Sequence, residues 1–366
     1  MSFDISRRNL LNTIGAAGAA GLASGLPFTR EALAQKVQLT AVMWGGPWLE
    51  GSKAAAALQS KHDVRWELHT GGSAAIMPKI KAAWPNAPYD FVAQFSPQFI
   101  TWEQEGWSEP ITKEEIPNLK DVPDELIYKG KDGSILAVPL SVSATFFAYR
   151  KDICPFPIKK MEDLLDPRLK GKVNLRSATQ GSNTNIVHYA LANGGSVDNL
   201  EPGWEFLKKL AKSGNVGRFS NTEVEFINSL TSGECVAGFS NIGNWGKVAE
   251  QFPVEFLILD KKQAPGFQAG LFVEGFCILK SSKYKKEAKE FINSFIGAQA
   301  NTAYNKPLNM APPNSKSEAT QLAKNIVFKT KEELTSNSIQ YNWQLMADQL
   351  KTSIERFEKE IIPLTK

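Results

Sequence analysis

Glu274 stands in the run Leu271-Phe272-Val273-Glu274-Gly275-Phe276, which is apolar on both sides of the carboxylate. An acid buried in such a strand is costly if unpaired, so something must satisfy it: a bound ammonium or guanidinium group, or an internal Lys or Arg. A second group with chemical potential is Trp44-Gly45-Gly46-Pro47-Trp48, in which Trp48 stands one helical turn beyond Trp44. A Trp face attracts an alkylammonium through its quadrupole, by about 0.5–2 kcal/mol, and backbone N–H groups exposed by glycines ahead of a helix form an anion nest. Core packing is the competing use for Trp44. The segment from Ser177 to Thr184, with Thr179 and Gln180 in it, is crowded with hydroxyls and amides before a helical pattern. It can cap that helix or donate to a carboxylate or phosphonate. Ser240, Asn241 and Asn244 make a fourth polar group, with Trp245 beside it.

Catalytic patterns do not emerge. His62, His69 and His188 are the only histidines and have no zinc-ligand spacing. Cys154, Cys235 and Cys277 form no CxxC pair; buried free thiols are expected, with a disulfide left open in an oxidising compartment. Neither a glycine-rich dinucleotide loop after a strand nor a GxSxG elbow occurs, so neither metal nor cofactor is expected. The pairs Glu103 with Glu105 and Glu114 with Glu115 fall in polar stretches and read as solvated faces.

The elements that must position these groups follow from periodicity. Residues 37–43, 64–69 and 89–93 read as strands, alternating with helical patterns over 48–60, 74–83 and 98–105. Such alternation predicts an α/β domain with a mostly parallel sheet, whose ligands bind at the carboxyl ends of the strands. Here those ends are the loops at Trp44–Trp48 and Gln94–Pro97. Extended segments are expected at 135–139 and 144–150 around the turn Lys131-Asp132-Gly133-Ser134. A second alternation follows: a strand into Leu175, helices over 183–192, 204–212 and 224–231, and a strand over 235–240. A strand over 271–279, a helix over 287–300 and a long C-terminal helix over 339–361 complete the chain.

Composition agrees with a soluble α/β protein. The chain has 366 residues, 42% hydrophobic and 22% charged, with a mean hydropathy of -0.26, which suits two domains and argues against disorder. Its 42 Lys and Arg against 38 Asp and Glu give +4, without the basic block that tracks a phosphate backbone, so nucleic acid is not an expected partner. Residues 1–34 read as an address: Arg7-Arg8 precedes a weakly apolar Gly/Ala-rich run and a small-residue cleavage site, Ala32-Leu33-Ala34. This is the pattern of a twin-arginine signal peptide. Removing it leaves 39 basic and 36 acidic residues.

Six segments, in order, resemble one family. They are Leu39-Thr-Ala-Val-Met-Trp-Gly-Gly, Lys131-Asp-Gly-Ser-Ile-Leu-Ala-Val-Pro-Leu-Ser, Tyr149-Arg-Lys-Asp, Glu162-Asp-Leu-Leu-Asp-Pro-Arg-Leu-Lys-Gly-Lys-Val, Thr231-Ser-Gly-Glu-Cys-Val-Ala-Gly and Tyr304-Asn-Lys-Pro-Leu-Asn. Together they resemble the extracellular solute-binding proteins of ABC importers, in particular the spermidine/putrescine branch, across roughly the whole chain after residue 34. The resemblance implies a two-lobed periplasmic-binding-protein fold of type II, each lobe a mostly parallel sheet flanked by helices, joined by hinge strands. Lobe 1 would comprise 36–145 with 272–312, and lobe 2 146–271 with 313–366. It also implies a monomer in the periplasm that closes on a small-molecule solute and presents it to an inner-membrane permease. Trp44 would serve as an aromatic wall, Phe95 and Ser96 as a ligand-touching loop, and Glu274 as the anchor of an amine. The loop from Ser177 to Thr184 departs from the branch: it has no carboxylate, whereas a long polycation needs an acid at each end. The expected solute is small, polar and amine-containing or zwitterionic, with a polyamine-like one preferred; an anionic solute such as a phosphonate or carboxylate, or a Tat-exported periplasmic enzyme, are the alternatives.

Overall fold

The computed structural model describes residues 37–58, 61–70, 72–327 and 336–365; the expected address at 1–34 lies outside them. Strands β1 (Gln38–Met43), β2 (Asp63–Leu68) and β3 (Phe91–Phe95) pair in parallel with β1 in the centre. The chain then enters β4 (Tyr128–Lys129) and β5 (Ile135–Arg150). The two extended segments expected at 135–139 and 144–150 are both extended and join into β5, one 16-residue strand, buried throughout. Strands β6 (Val173–Arg176), β7 (Val216–Ser220) and β8 (Ala237–Asn241) again pair in parallel around the first of the three. After β9 (Val254–Leu257), β10 (Ala269–Ile278) returns antiparallel between β3 and β5, and β11 (Ser338–Ile339) adds to it.

The resulting order is β2-β1-β3-β10-β5-β8-β6-β7. Two parallel trios with the same internal order are thus welded through an antiparallel pair of long strands. This is the α/β periplasmic-binding-protein fold, a curled mixed sheet with helices on its faces. Where both faces of a strand are covered it is buried along its length, as in Phe91–Phe95, which is why such short apolar runs are legible as strands, whereas the edge strand β2 (Asp63–Leu68) alternates charged and apolar residues. Around the first trio, Phe91, Phe276, Phe291 and Phe295 pack with Trp66, while Trp102 and Trp107 fill the other face with Val42, Ile80 and Val92. Around the second, Phe147, Leu175, Tyr189, Leu207 and Phe239 form a separate core.

Two expected helices differ. The 287–300 pattern breaks into Lys285–Phe295 and Ala298–Asn305, with Gly297 in extended backbone as the cap between them. The long C-terminal helix is interrupted from its start: Ile339 lies in β11, and Asn342 caps a short helix, Trp343–Asp348, by accepting from Leu345 N at 3.0 Å. A further helix, Leu350–Arg356, follows. The apolar spacing was real, since Ile339, Met346, Phe357 and Ile361 all enter the second core. Periodicity could not see that a buried Tyr341 would be inserted between strand and helix.

That tyrosine depends on Gly270. A Cβ at residue 270 would lie 1.8 Å from Tyr341 Oη, which itself is bonded to Thr145 Oγ1 (2.8 Å) and His188 Nε2 (2.7 Å). Gly270→Ala is therefore expected to destabilise the fold by about 1–3 kcal/mol through overpacking at the crossing strands, measurable as a lowered urea midpoint.

Candidate functional site

Four strands end at one place: β1 before Trp44, β3 at Phe95, β6 at Arg176 and β8 at Asn241. These four residues line one cavity, together with Trp48, Ser73, Thr145, Thr184, Glu223, Phe272 and Glu274. The carboxyl ends of both parallel trios thus converge on a cleft whose floor is β5 and β10, the position expected for ligands of open α/β sheets. The cavity is narrow, about 20 Å³, on the scale of a single water. Admission of any larger solute requires its walls to separate.

Glu274 is aimed by a bulge. It pairs with Ser141, but the next residue, Gly275, pairs with Pro139, leaving Leu140 without a counterpart. The Leu140 carbonyl, freed from the ladder, accepts from Asn301 Nδ2 (2.8 Å) and Asn305 Nδ2 (3.0 Å). Glu274 Oε2 accepts from Trp48 Nε1 at 3.0 Å and from Ser141 Oγ at 2.8 Å. Oε1 has no hydrogen-bond partner among the described residues. The residue is only 2% exposed, and burial pushes its carboxyl up to about 7 despite the two donors.

The second charged group was missed in the sequence. Arg176 Nη2 donates to Gln180 Oε1 at 2.5 Å and to Glu223 Oε1 at 3.3 Å, and all three side chains are buried. Burial draws the guanidinium below its ordinary value, against the pull of Glu223 and Glu274. Burial likewise raises Glu223, which Arg176 holds down. Arg176 ends β6 immediately before the polar loop that had been singled out, so its place at a strand's carboxyl end was the available signal. Alternating Ser141, Ser143 and Thr145 within apolar β5 were another: they pair with Glu274, Phe272 and Gly270.

Other expected residues divide. Trp44 lines the cavity, stacks on His69 at 5.3 Å and donates from Nε1 to Ser73 Oγ at 2.8 Å. Burial lowers His69 to about 4, so its neutral ring donates from Nε2 to the Ala93 carbonyl at 2.8 Å. Phe95 and Asn241 also line the cavity. Gly45 and Gly46 do not; a Cβ on either would lie 4.0 or 3.8 Å from Val224 Cγ2, so this loop packs toward the helix Glu223–Thr231. Ser96 Oγ accepts from Val273 N at 3.3 Å and lines a separate cavity of about 540 Å³ with Tyr128 and Trp343. Ser177 bonds Thr179 at 3.0 Å, and the Thr179 carbonyl sits where a Cβ on Gly72 would come within 2.6 Å, so these residues dock the loop. Gln180 positions Arg176 and donates to the Asn221 carbonyl. Ser240 Oγ accepts from Asn244 Nδ2 at 2.9 Å, and both are fully buried outside the cavity.

Among the described residues no cluster of His, Cys, Asp and Glu is placed to hold a metal, and no helix is long and apolar enough to cross a membrane. The three cysteines are free thiols.

Because Glu274 titrates near 4.5 ordinarily and near 7 in the cleft, the native state retains its proton longer than the unfolded chain, so stability falls as pH rises through that window. Relative to Glu274→Gln, the ligand-free protein should lose about 3 kcal/mol between about pH 4 and pH 8. Urea unfolding of both proteins at the two pH values reads this difference.

No curated protein matches the chain in sequence. Several solved structures share its fold. A periplasmic binding protein, AfuA from Actinobacillus pleuropneumoniae, bound to fructose-6-phosphate, superposes with a TM-score of 0.72 at 17% identity, covering 89% of this chain and 99% of its own. AgtB from A. tumefaciens R10, in complex with agropinic acid, gives 0.71 at 17% identity, with coverage of 89% and 99%. A putative spermidine/putrescine ABC transporter protein from Listeria monocytogenes gives 0.68 at 17%, with coverage of 88% and 99%. Residues 53–334 match the family model described as bacterial extracellular solute-binding protein, and with the strand order and the cleft already described, the chain belongs to that family.

Proposed function

We propose that this protein, as the substrate-binding component of an ABC transporter, captures a small solute bearing a cationic group, holds that group at Glu274 beside Trp44 and Trp48, and delivers it to a membrane permease by hinge closure. The observation that carries this reading is the charge arrangement. Arg176 and Glu223 neutralise each other at 3.3 Å, whereas Glu274 is buried with one carboxylate oxygen unpartnered among the described residues. A cation bridging to Oε1 restores the pairing that a buried carboxylate requires. Among the described residues that line the cavity, Glu274 alone is an acid left free in this way, which supports a solute with one cationic end over a long polyamine with two. In this reading lobe 1 comprises 36–145 with 272–312 and lobe 2 146–271 with 313–366, so that β5 and β10 act as the hinge. Residues 1–34 direct export through the twin-arginine pathway to the periplasm, where the protein acts as a monomer.

Closure follows from the two-sided site. A ligand shifts open and closed populations only by its differential affinity for them, and in this division Glu274 belongs to lobe 1 and Arg176 to lobe 2.

Thermal unfolding of the protein lacking residues 1–34, against polyamines, amino acids, betaines, phosphonates and carboxylates, tests the reading. An amine-bearing compound at 100 times its dissociation constant should add about 2.7 kcal/mol to stability, and Glu274→Gln should remove that gain. Stabilisation by wholly anionic compounds alone, or amine binding unchanged in Glu274→Gln, contradicts it. Amine affinity should also rise with pH through about 7 as the Glu274 carboxyl ionises, and calorimetric titrations on either side of that value should show about a ten-fold loss per pH unit below it.

A further inference from the structure

The second trio offers donors where β10 offers an acceptor. Arg176 donates from Nη2; its Nε and Nη1 have no hydrogen-bond partner among the described residues, and the side chain lines the cavity. Asn241 caps the helix Ile242–Ala249 with its side chain, Oδ1 accepting from Asn244 N at 2.9 Å. Since that backbone nitrogen must donate, the atom facing it is the oxygen, and Nδ2 is left as a donor without a partner among the described residues, on a side chain that lines the cavity. The two side chains stand at the ends of β6 and β8 and are 6% and 4% exposed. Buried N–H groups of this kind are expensive to leave unmade and gain most from an oxygen acceptor with two lone-pair sites.

We propose that Arg176 and Asn241 form an oxygen-acceptor subsite that receives a carboxylate or carboxamide on the end of the solute opposite its cationic group. The inference rests on the cationic reading of Glu274 and adds that the solute is bipolar. An alkyl end would leave the Arg176 and Asn241 donors dry and unpaired, which is how a polar pocket rejects an analogue lacking the matching group. Glu223 then has a second task. It keeps Arg176 oriented while limiting the positive field, so a neutral carboxamide remains an acceptable partner beside a carboxylate.

The test compares ω-amino acids, the corresponding ω-amino amides and n-alkylamines of matched length, by thermal stabilisation and isothermal titration of the protein lacking residues 1–34. At the best chain length, one oxygen-bearing series should bind at least about ten-fold more tightly than its alkylamine; which series leads identifies the acceptor. Two variants locate the effect. Arg176→Gln combined with Glu223→Gln removes the ion pair without stranding a charge. Asn241→Asp keeps the cap and converts the donor into an acceptor. In both, the ratio of oxygen-bearing to alkylamine affinity measured within the same variant should collapse, whatever the change in alkylamine affinity itself, with Asn241→Asp disfavouring the carboxylate most. Equal binding of all three series to the wild type, or a preference that survives in both variants, overturns this inference alone. If no amine of any series stabilises the wild type, the cationic reading of Glu274 falls, and the subsite proposal with it.

Discussion

Everything in the cleft depends on the antiparallel pairing of β5 with β10 and on the single irregularity in it. The two parallel trios have no strand-to-strand contact except through this pair. At the bulge the ladder slips by one residue, Leu140 drops out of register, and Glu274 is set against Ser141 and within reach of Trp48. A bulge leaves an unpaired carbonyl, and in a buried strand that carbonyl must be satisfied. Asn301 and Asn305 supply the two amide donors from the helix Ala298–Asn305. A helix outside the cavity lining therefore helps maintain the geometry of the cleft's acid.

The same place shows stability exchanged for function. A carboxylate raised to about 7 by burial is a liability for the empty protein, and in the proposed function a bound cationic group offsets it. Arg176 and Glu223 are the opposite case, a buried pair that is internally balanced and draws further support from Gln180. Balanced pairs hold a wall in place; unbalanced groups create demand for a ligand. The distinction lies in which atoms are already bonded, not in which residue types are present.

Relatives of this fold bind ligands as different as fructose-6-phosphate and agropinic acid. The duplicated trio explains how. Strand ends converge at one cleft whatever residues occupy them, so selectivity can change there without touching the cores. In this chain those ends carry Trp44, Phe95, Arg176 and Asn241.

The sequence by itself determined the α/β class, most strands to within two residues, and the pivotal position of Glu274, because apolar runs and an ill-placed charge are local signals. It also placed Trp44, Trp48, Phe95 and Asn241 near the ends of strands, where sheets of this kind bind ligands. Tertiary structure alone decided what each group does. Trp48 pins Glu274 by its indole N–H, Gln180 orients Arg176, and Ser240 and Asn244 bond each other out of reach of the cavity. Arg176 and Glu223 are 47 positions apart, and neither looks unusual beside its neighbours. Their role exists only because parallel pairing sets the carboxyl end of β6 beside that of β7, and so beside the first turn of the helix Glu223–Thr231 that follows β7, a long-range event that no local pattern encodes.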